Sequence, residues 1–351
     1  MSAPIARALV TGVGGQDGSL LAAQLLDAGA EVVGTRRPAR AGGPAWRHVE
    51  LGIAGHPRLR ILSFDAAAAD AAACARVLRD VRPDAVFHLA GQSHVAASFE
   101  DPLGTLAANG LATVRWLEAL RESAPGAHFV LAASAEMLAA RDTPLDESAA
   151  FAATTPYALS KLVGHAAVGS WRATWGLRAS SAIAFNHESE WRDESFVTRR
   201  ISRAVARIAL GLDDALALGN LDARRDFGHA PDFVAALVRM CAHERGDDYV
   251  LASGVAVSIR EFATHAFAAA GMELEWRGKG VQETAVGNGR DIVRVRVDPA
   301  LLRPVDAAVR LGNADKARRE LGFANTLDAA AIARRMVEAD LARERRALER
   351  A

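Results

Sequence analysis

Residues Ala6 to Gly29, ARALVTGVGGQDGSLLAAQLLDAG, decide the fold. ARALVT is a short apolar run of strand length, and GVGGQDG after it is a glycine-rich turn. The apolar residues from Ser19 to Ala28 then recur at helical period until Gly29 closes the run. Strand, glycine turn and helix in that order make the phosphate-binding start of a dinucleotide fold. The glycines let backbone approach a pyrophosphate, and the helix N-terminus offers N–H groups to the anion. Here they fall as G-x-x-G-x-x-G, at Gly12, Gly15 and Gly18.

Outward from this unit, strand-like runs recur at Glu31–Thr35, Leu59–Phe64, Ala85–Leu89, Phe129–Ala133 and Arg178–Ala184. Helical patterns separate them, among them Leu103–Arg121 and Thr154–Trp175. Such alternation predicts an α/β protein with a Rossmann-like, doubly wound parallel sheet and right-handed crossovers. After about residue 185 the pattern becomes mixed. We therefore expect a dinucleotide-binding domain over 1–185, with about 212–250 returning to it. A smaller mixed α/β substrate domain is expected over 186–211 and 251–351.

The totals narrow the functional classes. The chain has 351 residues, 50% apolar and 24% charged, with 42 acidic and 42 basic residues. A balanced charge gives no overall field for nucleic acid or an anionic membrane surface. Cys74 and Cys241 are single and distant, without metal-ligand spacing, which predicts no metal centre and fits a reducing, cytoplasmic setting. No signal-like segment is read at the start, and charges interrupt every long apolar run, so no membrane-spanning helix is expected.

Chemistry is concentrated at Ser134-Ala135-Glu136 and Tyr157-Ala158-Leu159-Ser160-Lys161. A lysine four residues after a tyrosine shares its helix face. Its ammonium favours the phenolate, so the phenol can take a proton from a carbinol while hydride leaves the carbon. With two tyrosines and three lysines in the chain, random placement gives roughly 0.02 such pairs. Ser134 adds a hydroxyl, and Glu136 adds the carboxylate that an elimination needs and a plain alcohol oxidation does not.

Arg36 and Arg37 end the second strand, where NAD enzymes usually carry an acid for the ribose hydroxyls. Two arginines there suit a 2′-phosphate, hence NADP, or else belong to a solvated basic loop that continues through Arg40 and Arg47. Asp65 past the third strand is either an adenine contact or a turn residue. Leu89-Ala90-Gly91-Gln92-Ser93 ends the fourth strand, at the edge where ligands bind in such sheets. Arg199, Arg200, Arg203 and Arg207 on one helix, with Arg290, Arg294, Arg296 and Arg303 later, either clamp a diphosphate or form surface salt bridges.

The same residues carry a resemblance. GVGGQDG, FHLAGQSHVAASFEDP (87–102), SAEM (134–137), PYALSK (156–161), FNHES (185–189), FVTRRISRAVARIALGL (196–212), LGNLDARRDFGHAPDFV (218–234) and RPVD (303–306) are similar to the GDP-mannose 4,6-dehydratases. That family is a branch of the extended short-chain dehydrogenases/reductases. The resemblance spans about residues 6–325, and GQDG, NHES and GNLDA-R-RD-GHA are its narrowest signals.

It implies that Tyr157 with Lys161 deprotonates the C4 hydroxyl of GDP-mannose, that Ser134 hydrogen-bonds it, and that Glu136 removes the C5 proton before water leaves C6. It places Gly12, Gly15, Gln16, Asp17, Gly18, Arg36, Arg37, Asp65, Leu89, Ala90, Gln92, Ser93, Tyr157, Lys161, His187 and Arg192 at the NADP cofactor. Ser93, Ser134, Glu136, Asn186, Val197, Arg200, Asn220, Arg225, Arg290 and Arg303 fall at the nucleotide sugar. A homodimer or homotetramer is implied as well.

The departures are Leu138-Ala139, where an aromatic and a glycine are usual, and Leu103-Gly104, where a tyrosine is common. Ser189-Glu190-Trp191-Arg192 replaces Ser-Pro-Arg-Arg, so Glu190 and Trp191 are expected to reshape the sugar pocket. A related sugar such as GDP-manno-heptose, or a non-catalytic nucleotide-binding regulator, is the alternative to the hexose enzyme.

Overall fold

The computed structural model describes residues 5–38, 43, 45–287, 292–302 and 309–350. The chain divides into two compact units. One comprises Met1–Phe185, Ala230–Leu251 and Gly312–Ala324; the other comprises Asn186–His229, Ala252–Leu311 and Asn325–Ala351.

The first unit opens with β1 (Arg7–Thr11), α1 (Gln16–Asp27), β2 (Glu31–Arg36) and α2 (Trp46–Glu50). It continues through β3 (Leu59–Ser63), α3 (Ala71–Val81), β4 (Ala85–His88), α4 (Val95–Glu100) and α5 (Pro102–Leu106). Then come α6 (Ala112–Ser123), β5 (His128–Ser134), α7 (Pro156–Trp175) and β6 (Ala179–Ala184). In the second unit follow β7 (Asn186–Glu188), α8 (Val197–Ala209), β8 (Leu216–Leu218) and β9 (Arg224–His229). The chain returns to the first unit with α9 (Ala230–Met240) and β10 (Asp248–Leu251). Beyond them lie β11 (Ala256–Ser258), α10 (Ile259–Ala269), β12 (Leu274–Arg277), β13 (Thr284–Gly287), β14 (Val293–Val297), α11 (Asp315–Leu321) and α12 (Ala329–Leu348).

The main sheet has the order β10-β6-β5-β4-β1-β2-β3, and every neighbouring pair is parallel. Its centre reads as continuous apolar runs because both faces are covered. Leu9, Val86, Phe87, Phe129 and Val130 are fully buried, as are Leu21, Leu78, Trp116 and Leu117 on the helices. Each such side chain contributes roughly 1.5–3 kcal/mol. The strand order reverses between β1 and β4, so the glycine turn after β1 and the Leu89–Ser93 loop after β4 flank the switch point, the crevice where such sheets bind ligands.

Three expectations change. Residues 212–229 belong to the second unit, because β8 pairs with β14, and β9 pairs with β7 and β11. Conversely, 312–324 returns to the first: Gly312 bridges Leu145, and Lys316 donates to Asp248 O at 2.9 Å. The single helix expected over Leu103–Arg121 is broken into α5 and α6 by one π turn, Ala107–Leu111.

The second unit has its own core. Ile201 and Val205 of α8, Phe262 and Phe267 of α10, and Ile332 and Met336 of α12 pack with Leu218, Phe227 and Val295 of its strands. No described helix is long and apolar enough to cross a membrane.

Candidate active site

The glycine turn is shaped by close approach. Gly12 has φ +72°, and a Cβ on it would lie 2.8 Å from Ala90 N, so no side chain fits there. At Gly18 a Cβ would strike Gly12 O and come within 2.7 Å of Val13 Cα. Helix α1 begins at Gln16 without a capping side chain at Gly15, and uncapped N-terminal amides are what an anion takes up. The bare turn and open helix end therefore fit a dinucleotide's diphosphate. Asp17, in the first helical turn, accepts a hydrogen bond from Gln16 Nε2 at 3.0 Å.

Across the switch point, Thr11 Oγ1 accepts hydrogen bonds from Leu89 N at 3.1 Å and Ala90 N at 3.0 Å. Both lone pairs are then used, so its own proton goes to His88 Nδ1, 2.9 Å away. This places the His88 proton on Nε2. Burial, with the Lys161 charge nearby, pushes the His88 pKa down to about 3, and the ring is neutral at physiological pH. Asn109, inside the π turn, continues the tether: Oδ1 accepts from Gln92 N at 2.8 Å, and Nδ2 donates to Gln92 O at 3.0 Å and Ser160 Oγ at 2.9 Å. Ser160 Oγ in turn donates to Tyr157 O at 2.7 Å. The loop after β4 is thus fixed to both the end of β1 and helix α7.

Helix α7 has strong local reasons to start where it does. Thr155 Oγ1 accepts from Ala158 N at 3.0 Å, and Pro156 occupies the first turn. Tyr157 is nearly buried, and Lys161 follows one turn later, its Nζ 5.9 Å from the Tyr157 ring centroid. Lys161 Nζ donates to Ala132 O of β5 at 2.8 Å. Burial lowers its pKa to about 8, opposed by the charge of Asp17. Ser134 ends β5, and its Oγ accepts from Glu136 N at 3.2 Å within a short 3₁₀ turn. Glu136 is half-buried. A hydroxyl, a carboxylate, a phenol and an ammonium thus come from the end of β5 and the start of α7.

Other residues fall differently. Asp65 Oδ1 accepts from Ala67 N at 3.0 Å, a turn contact. Ser93 is exposed in the loop before α4. Arg36 is half-buried with its Nη1 on Gly43 O at 2.9 Å, whereas Arg37 is exposed.

Within the second unit, Asn186 and His187 lie on β7 opposite Phe227 and Gly228. Arg192 pairs with the buried Glu188 at 3.1 Å and stacks 3.6 Å over the Phe196 ring. Val197 begins α8, and Arg200 donates to Ala217 O at 3.3 Å. Asn220 Oδ1 accepts from Asp222 N at 2.9 Å, and Arg225 Nη1 donates to Arg224 O at 2.7 Å. Arg290 and Arg303 lie outside the described residues.

Three of the four α8 arginines are in ion pairs: Arg199 with Asp340 at 2.7 Å, Arg203 with Glu344 at 2.9 Å, and Arg207 with Asp213 at 2.6 Å. Glu190 is buried and pairs with Arg335 of α12 at 3.1 Å. Sequence reasoning missed His88 and Asn109; their spacing carries no signal, because their partners come from distant segments.

The GDP-mannose 4,6 dehydratase family profile matches residues 9–336, which takes in the whole constellation. A GDP-mannose 4,6-dehydratase of Sinorhizobium fredii is 39% identical over 95% of this chain and 96% of its own length. One from Vibrio cholerae is 37% identical over 95% of this chain and 94% of its own length. Among solved structures, a putative epimerase from Burkholderia cenocepacia superposes with TM-score 0.76 at 28% identity, covering 96% of this chain and 98% of that one. With fold, site order and near-full-length similarity agreeing, the chain belongs to the GDP-mannose 4,6-dehydratase family.

Proposed function

We propose that the protein is a hydro-lyase that converts GDP-mannose to GDP-4-dehydro-6-deoxy-mannose, with NADP as its cofactor. When bound, the nicotinamide supplies the hydride acceptor and later the hydride donor. Tyr157 Oη takes the proton of the C4 hydroxyl, and the Lys161 ammonium makes the phenolate accessible by its charge. Ser134 Oγ hydrogen-bonds the C4 oxygen and orients it. Once C4 is a ketone, the C5 proton is acidic; the Glu136 carboxylate removes it, and the C6 hydroxyl leaves as water after taking up a proton. Hydride addition at C6 and a proton at C5 complete the saturated product. Oxidation and reduction cancel, leaving loss of one water.

The observation that carries this reading is the placement of Glu136. The Glu136 N–H to Ser134 Oγ bond, at 3.2 Å, anchors the backbone of an acidic residue next to the hydroxyl of an alcohol-oxidising set, which supports the reading. For NADP over NAD the support is Arg36 at the end of β2, with no acid in its place. The test is to incubate the purified protein with GDP-mannose and NADP in deuterated water and follow the sugar by mass spectrometry. The expected product is lighter by one water apart from carbon-bound deuterium gained at C5. A product that keeps its water, or an unchanged substrate, contradicts the assignment.

A further inference from the structure

The expected arginine pair, Arg36 and Arg37, is consecutive in an extended segment. Period-two alternation turns the second side chain to the opposite face from the first. Arg36 lies over the glycine turn: a Cβ on Gly14 would be 3.3 Å from Arg36 Nε. A different guanidinium meets the same glycine. Arg47, on the short helix α2, donates from Nη1 to Gly14 O at 3.1 Å. It is 6% exposed and stacks 4.6 Å over the Trp46 ring. Next to it, His48 Nε2 lies 2.9 Å from Val13 O. Burial lowers the His48 pKa, with Arg36 and Arg47 adding to the effect, which keeps this ring a neutral donor to the turn.

We propose that Arg47, rather than Arg37, completes with Arg36 the site that takes the 2′-phosphate of NADP, making Arg47 a specificity-determining residue. The inference rests on the NADP reading above. Arg47 bonds Gly14 O, and the Arg36 side chain occupies the space beside the same glycine, which sits in the turn after β1, next to β2 and its terminal Arg36. A guanidinium has five donors in a planar fork, so one group can hold a backbone carbonyl and a phosphate oxygen together. Stacking on Trp46 fixes the plane of that fork before any ligand arrives, and a pre-oriented group loses less freedom on binding. Arg37 is exposed.

The test is isothermal titration of NADP and of NAD into the purified wild-type protein and into Arg47→Gln, Arg47→Lys and Arg37→Ala, with the melting midpoint of each variant recorded. NAD lacks only the 2′-phosphate, so it reports everything else about the turn. Loss of a charge-assisted bond predicts that Arg47→Gln weakens NADP about tenfold or more, while NAD changes by less than about threefold. Arg47→Lys keeps charge but not the fork, and is expected to lose NADP selectively by roughly threefold or more. If Arg47→Gln does not fold, Arg47→Lys decides the matter. Arg37→Ala is expected to change NADP by less than about threefold.

Equal weakening of NADP and NAD in the Arg47 variants would reduce Arg47 to a prop for the turn and overturn the proposal. Unchanged binding in them would do the same, as would a selective NADP loss in Arg37→Ala alone. Wild-type protein that binds NAD as tightly as NADP would instead remove the NADP reading itself, a failure seen before any variant is made.

Discussion

The end of β5 with the start of α7, and helix α8 in the second unit, look alike in sequence: each gathers charged or polar residues within a few turns. In the structure they differ. At the first, Lys161 Nζ is held on Ala132 O and Ser134 Oγ accepts from Glu136 N, both backbone partners. On α8, Arg199, Arg203 and Arg207 are matched by Asp340, Glu344 and Asp213. Backbone contacts fix where Ser134 Oγ and Lys161 Nζ sit. Residues paired with acids mainly stabilise the fold. The lesson is that spacing between different chemical types is more telling than a run of one charge.

The sharpest way to break this comparison uses adjacent residues of α8. Arg199 is almost fully buried with Asp340, which also accepts from Ser202 Oγ at 2.7 Å. Replacing Arg199 by Leu leaves the buried Asp340 with Arg343 Nη1 at 3.0 Å as a remaining guanidinium partner and is expected to cost about 1–3 kcal/mol in urea unfolding. Arg200, which the resemblance places at the nucleotide sugar, gives the contrast: Arg200→Leu is expected to leave unfolding nearly unchanged and to raise the KM for GDP-mannose about tenfold or more. If Arg199→Leu raised KM at unchanged stability, or Arg200→Leu did the reverse, the division of labour on α8 would be wrong.

A smaller effect sharpens the other region. The Lys161 pKa is near 8 in the folded protein against 10.5 for an ordinary lysine. Between these values the unfolded chain binds more protons, so this group makes stability rise with pH; below 8 both states are protonated and the slope vanishes. Melting midpoints of wild type and Lys161→Met are expected to diverge from pH 8 upward, the wild type gaining on the variant. Parallel curves would remove the claim that Lys161 is desolvated.

Much of this was legible in the chain because the signals are local. The strand–glycine–helix unit at Arg7–Asp27 and the six alternating strands follow from short-range periodicity. The Tyr157–Lys161 relation follows from one helical turn. What escaped is non-local. The return that carries β10 is expected, but its starting point is not, because β8 and β9 pair with strands of the second unit. Asn109 sits in a π turn whose side chain serves Gln92, 17 residues away, and Ser160, 51 away; periodicity read across it gives one unbroken helix. Glu190 reads as a change in the sugar pocket, yet its carboxylate pairs with Arg335, a partner 145 residues later.

The central claim is that Glu136 is the base added to an alcohol-oxidising site. The most direct measurement is a single turnover of Glu136→Gln with bound NADP and GDP-mannose, following reduced-dinucleotide absorbance and the mass of the quenched sugar together. The account predicts that reduction proceeds while the sugar stays at the C4 ketone with its water retained, slowing water loss by roughly 10²–10⁴-fold relative to wild type. Water loss at the wild-type rate in this variant would contradict it.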